Sequence, residues 1–139
     1  MIRRRIWTGV LAIVAASVVA ALSFVATPVK FAAPDVPLDH LLAVGRVTFR
    51  ASLACEAAIL FPLILVATGM CRLIVAAASA VLALQWLVLM PALDARTLAV
   101  MTGETLTPSS LHGWWIAADV LRIVLYGMTA RLALAAERP

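Results

Sequence analysis

Five polar side chains fall inside long apolar runs and could do chemistry there: Arg50, Glu56, Gln85, Asp119 and Arg122. An isolated charge in hydrocarbon costs about 2.5–3.5 kcal/mol on insertion scales, so each must face protein or water instead of lipid. Asp119 and Arg122 are three apart and share a helix face, as Arg46 and Arg50 do at a spacing of four. The economical arrangement is two compensated pairs, Arg50 with Asp119 and Arg122 with Glu56, although sequence alone leaves the partners open. Arg50 and Glu56 do not lie on one face.

Such a band has three readings. As structure, it sets helix register, and losing one partner is costly because the other stays buried and unpaired. As a site, it lines an outward-facing pocket for a lipid, a small apolar ligand or an ion. It also suits an interface with a partner protein. Histidines at the mouth would extend the second reading, since His40 is expected just before the second helix and His112 just before the fourth, both able to exchange protons or bind a ligand. Asp39 is placed to cap the second helix or to orient His40. Asp94 and Arg96 are expected in an outer connection as a local turn network, with His112 closing over it.

The elements that must position these groups are four apolar runs, at about 6–27, 42–68, 73–90 and 114–136. Each approaches or exceeds the roughly 20 residues that a helix needs to cross hydrocarbon about 30 Å thick. Hydrophobic residues make up 65% of the 139-residue chain, charged residues only 13%, and the mean hydropathy is +1.08, more apolar surface than a soluble domain this short could hide. Barrel strands alternate polar and apolar residues over about 9–11 positions, which these continuous runs do not. The fold class expected is an all-α integral membrane bundle of four transmembrane helices with up-down topology, one domain over the whole chain.

The net charge of +4 reads as topology and not as nucleic-acid binding. Arg3, Arg4, Arg5, Arg72, Arg131 and Arg138 fall on one side, and Lys30, Arg46 and Arg96 on the other with Asp35, Asp39, Asp94 and Glu104. Basic residues near helix ends stay cytoplasmic, so both termini are expected inside, in a bacterial inner membrane. The first apolar run is too long for a signal-peptide core and is expected to remain as a helix.

Prolines mark the boundaries. Thr27-Pro28 through Pro37 is expected to end the first helix, Pro91 the third, and Pro62 to bend the second mildly. Gly69 to Arg72 reads as a tight turn making helices two and three antiparallel neighbours. Thr107-Pro108-Ser109 offers an N-cap. Trp7, Trp114 and Trp115 are expected as interfacial anchors, Trp86 against the polar band, and Gly9, Ala12 and Ala16 as a close-packing face. Cys55 and Cys71 have neither metal nor disulfide spacing, and no nucleotide-binding, metalloprotease or serine-nucleophile motif occurs.

Gln85, the run Pro91-Ala-Leu-Asp-Ala-Arg96, Ser109-Ser-Leu-His112 and the Asp119/Arg122 pair carry a resemblance. The span 82–127 resembles an uncharacterised bacterial family of small four-helix inner-membrane proteins, in which glutamate and lysine are usual where this chain has Asp119 and Arg122. The resemblance implies a fold and a set of positions, with no activity attached. The candidate ligand-binding set is therefore Arg50, Glu56, Gln85, Asp94, Arg96, His112, Asp119 and Arg122. No catalytic residue, metal or cofactor is specified. The bilayer, with a second copy of the chain or a membrane-protein partner, is the expected company; a structural or accessory role in a membrane process is the first expectation, and a small-molecule, lipid or ion transporter or binding module with an outward-facing polar pocket is the second.

Overall fold

The apolar runs form helices, and they continue through the prolines expected to end them. The computed structural model describes residues 2–105 and 107–135. Among them are four long helices: α1 (Ile2–Lys30), α2 (Leu38–Val66), α3 (Gly69–Met101) and α4 (Leu111–Ala135). The first three are long and apolar enough to cross a membrane. The fourth is long enough, but Asp119, Arg122 and Arg131 interrupt its apolar sequence. Ala136, the expected end of the last run, lies outside the described residues.

Two widened turns account for the extra length. α1 passes through a π-helical stretch at Ala20–Ala26, and α3 through another at Gln85–Leu89. Each stretch ends two residues before a proline, and at the residue between them the Thr27 N–H bonds the Leu22 carbonyl and the Met90 N–H bonds the Gln85 carbonyl, five residues back. Proline lacks an N–H and clashes with the carbonyl four residues earlier, which breaks a regular helix. Widening the preceding turn moves that register, so Pro28 and Pro91 each open a fresh α-helical segment in the first turn, where proline is tolerated. The Thr27 hydroxyl adds a second bond to Leu22 O at 2.9 Å. Pro62 sits inside α2 without ending it. Asp39 and His40 lie in the first turn of α2 instead of before it, and no side chain caps that helix.

The turn between α2 and α3 is shorter than expected. Ala67 and Thr68 alone connect them, and Gly69 opens α3 at φ +54°, a left-handed conformation that glycine adopts without steric cost. At the other end, Ser109 Oγ accepts the Leu111 N–H at 3.2 Å, so the expected cap of α4 forms.

Packing follows stripes at three- and four-residue spacing, the signature of nearly antiparallel bundles. α4 buries Trp115, Asp119, Arg122, Tyr126, Thr129 and Ala133. α3 buries Val75, Ala78, Leu82 and Gln85, and α2 buries Leu53, Glu56, Leu60 and Leu63. α1 contributes mostly small residues, Thr8, Gly9, Ala12, Ala15 and Val19, which let its backbone come close to α4 and α2. α1 packs beside α2 and α4, and α3 beside α4 and α2. α2 and α4 therefore face one another across the diagonal, and the bundle axis between them is where the polar residues lie.

Candidate functional site

The axial site is built on three helices. Arg122 of α4 donates one guanidinium nitrogen to Glu56 Oε2 of α2 and another to Asp119 Oδ1 on its own helix. Tyr126 donates its hydroxyl to Glu56 Oε1 at 2.6 Å. From α3, Gln85 Nε2 reaches Asp119 Oδ1 at 2.9 Å and the Trp115 carbonyl at 3.2 Å. None of the five side chains is more than 2% exposed. In that setting the guanidinium fork suits two carboxylates better than an ammonium could, because its donors diverge in one plane. The charges do not balance: one guanidinium faces two carboxylates.

Four buried polar atoms in this region have no partner among the described residues: Asp119 Oδ2, Gln85 Oε1, Trp115 Nε1 and Arg122 Nε. Leaving a buried polar group unpaired costs about 1–3 kcal/mol, so these atoms mark where a guest would be welcome.

The expected pairing of Arg122 with Glu56 forms, and that of Arg50 with Asp119 does not. Arg50, 60% exposed in its side chain, instead meets Asp94 Oδ2, while Arg46 Nε bonds Asp94 Oδ1 at 2.8 Å. The cause is the continuation of α3 past Pro91, which turns Asp94 from a loop residue into a helical one facing α2. Arg46 and Arg50 do share a face, as their spacing required. Arg96 does not join Asp94 and donates to the Thr107 carbonyl, tying the end of α3 to the connection before α4. His40 is exposed, and His112 lies in the first turn of α4.

Arg46→Ala is expected to lower stability by about 1–2 kcal/mol, since it removes the better-buried partner of Asp94. Arg50→Ala should cost under about 1 kcal/mol, as exposed pairs do. Thermal unfolding of the two purified variants in one detergent checks the order.

Two cavities open at the Lys30 and His112 end. One, of about 120 Å³, is lined by Lys30, Gly45, Arg46, Asp94, Met90 and His112 among others. The second, of about 230 Å³, runs between Ser23, Phe24, Ile116, Trp115 and Asp119. They share Thr27, Phe31, Phe49 and His112 as walls. Lys30 Nζ stands 4.8 Å from the Phe31 ring centre and 5.4 Å from that of Phe49. Phe49 in turn packs on Trp115, centroids 4.9 Å apart. Gly45 admits the Lys30 ammonium, because a β-carbon there would sit 2.2 Å from Nζ.

Sequence reasoning missed Tyr126 and the inward role of Trp115. Both carried a signal, since 115, 119, 122, 126 and 129 form one stripe. Trp114 is 63% exposed, as an interfacial anchor would be, whereas Trp115 is core. Trp86 turns outward and away from the polar band. Cys55 and Cys71 are both free thiols.

Together these features define an all-helical bundle with three apolar candidate spans, a buried acid–base cluster on its axis and a cleft reaching that cluster from one end. The chain matches no protein-family model, no curated protein and no solved structure.

Proposed function

We propose that the chain is a four-span membrane protein that binds a small molecule in the cleft at its Lys30 and His112 end. α4 serves as the fourth span: its charged residues Asp119 and Arg122 turn into the bundle, while Val120, Leu121, Val124, Met128 and Leu132 are exposed where lipid would lie. Arg3, Arg4, Arg5, Arg72 and Arg131 gather at the opposite end, which supports cytoplasmic termini, and a bacterial inner membrane is the setting that agrees with the resemblance of residues 82–127.

The observation that carries the reading is the juxtaposition of the second cavity with Asp119, a buried carboxylate whose Oδ2 has no partner. A purely structural polar cluster gains nothing from a buried oxygen left unpaired on a residue that lines a cavity. The accessory or scaffold reading rests on a different fact, that Arg122 and Tyr126 tie α4 to α2 across the diagonal. Native mass spectrometry of the full chain after gentle extraction separates the two. A stoichiometric extra mass that His112→Ala loses supports the binding module. Bare protein in one stable oligomer, unchanged by that substitution, supports the scaffold.

A further inference from the structure

The cleft holds an unpaired cation and, apart from it, an unpartnered carboxylate oxygen. At its mouth, Lys30 packs on Phe31 and Phe49, with no carboxylate in ion-pairing distance among the described residues. On its floor, Asp119 lines the second cavity and shares Arg122 with Glu56 behind it, and its Oδ2 has no partner among the described residues. Phe49, a wall of both cavities, is within reach of the Lys30 ammonium and packs on Trp115. The mouth thus carries an unpaired cation and the floor an unpartnered carboxylate oxygen, with an aromatic wall shared between them.

We propose that this cleft binds a small zwitterion, its phosphate or carboxylate against Lys30 and its primary ammonium against Asp119 Oδ2. The inference rests on the binding-module reading and deepens it. A simple anion would leave Asp119 Oδ2 unpaired, and a simple cation would leave Lys30 so. A dipolar guest compensates both ends without changing the net charge held in the low-dielectric bundle, where unpaired charge is costly. The anionic group also lies near Arg46 and His112, and the ammonium near the faces of Phe49 and Trp115, which favour cations. A water molecule's share of liquid is about 30 Å³, so cavities of about 120 and 230 Å³ admit a guest of several heavy atoms. An ammonium that carries N–H is required, the primary one having the most donors, because only a donor satisfies Asp119 Oδ2. A quaternary one brings the charge without the hydrogen bond.

Binding of glycerophosphoethanolamine and glycerophosphocholine, both net-neutral phosphodiesters, to the purified full chain in detergent is the test, followed by calorimetry and repeated with phosphatidylethanolamine and phosphatidylcholine in mixed micelles. The ethanolamine compounds are expected to bind about tenfold more tightly than the choline compounds, the worth of one charge-assisted hydrogen bond. Binding of both free and lipid forms identifies a soluble ligand chemistry; binding of the lipid form alone identifies a bilayer headgroup. Asp119→Asn should bring the ratio to about one. Lys30→Gln, outside the buried cluster and so expected to fold, should weaken both compounds about tenfold.

Equal binding of the ethanolamine and choline compounds, still sensitive to Lys30→Gln, overturns the zwitterion and leaves the binding module standing. Binding of neither, with no retained mass in the native spectrum, overturns both. Ethanolamine binding indifferent to Lys30→Gln also overturns the proposal, even where Asp119→Asn fails to fold.

Discussion

Arg122→Met is expected to lower the stability of the folded protein by about 3–5 kcal/mol, the cost of leaving buried charge without its partner. Two carboxylates, Glu56 and Asp119, would then face each other across the bundle axis with only Tyr126 and Gln85 as donors. Thermal or denaturant unfolding in detergent checks this against Glu104→Ala, an exposed position where the change should stay within about 0.5 kcal/mol. Equal stability of the two variants would remove the buried cluster as an energetic feature. Substituting all three charged members together, Glu56→Met, Asp119→Leu and Arg122→Met, should recover much of the loss, because a whole ionic cluster replaced by apolar residues is often neutral or better. The three effects are therefore strongly non-additive.

Tyr126→Ala is the second large effect, expected at about 3–5 kcal/mol from the loss of a fully buried aromatic ring. The ring and the hydroxyl act separately. Tyr126→Phe keeps the packing and deletes only the bond to Glu56 Oε1, leaving an acceptor unpaired, which should cost about 1–3 kcal/mol. If the two variants unfold at the same temperature, the ring contributes nothing beyond its hydroxyl, and the packing argument for the α4 stripe fails.

The cluster was legible in part because its chemistry is coarse. Charged residues in apolar runs must turn inward, so the depth shared by Glu56, Gln85, Asp119 and Arg122 followed from counting along helices. Of the two pairs that the economical arrangement offers, with partners left open by sequence, Glu56 with Arg122 forms. What counting could not supply was the register beyond position 85. A π-helical turn shifts the side-chain register, but in a run that is apolar on nearly every face the shift leaves no mark on periodicity, and Pro91 reads as an end. That one misplacement put Asp94 in a loop, left Arg50 without its real partner and sent it to Asp119 instead. Trp115 was read by type, as a boundary indole, when its spacing from Asp119 placed it in the stripe. The cleft depends on where Lys30 lies relative to Gly45 and Phe49, a matter of tertiary packing that no local pattern encodes.

The tie between Glu56 and Arg122 spans 66 positions of sequence. During synthesis, then, the carboxylate is delivered long before its counter-ion, and an intermediate holding α1, α2 and α3 has Glu56 without a guanidinium and Gln85 without the Asp119 carboxylate. α4 arrives after the other three helices and satisfies both in one step, while also filling the groove against the small residues of α1. Arrival of α4 and pairing of Glu56 are the same event, so a bundle cut short before α4 advertises an unsatisfied acid to whatever surveys unfinished proteins.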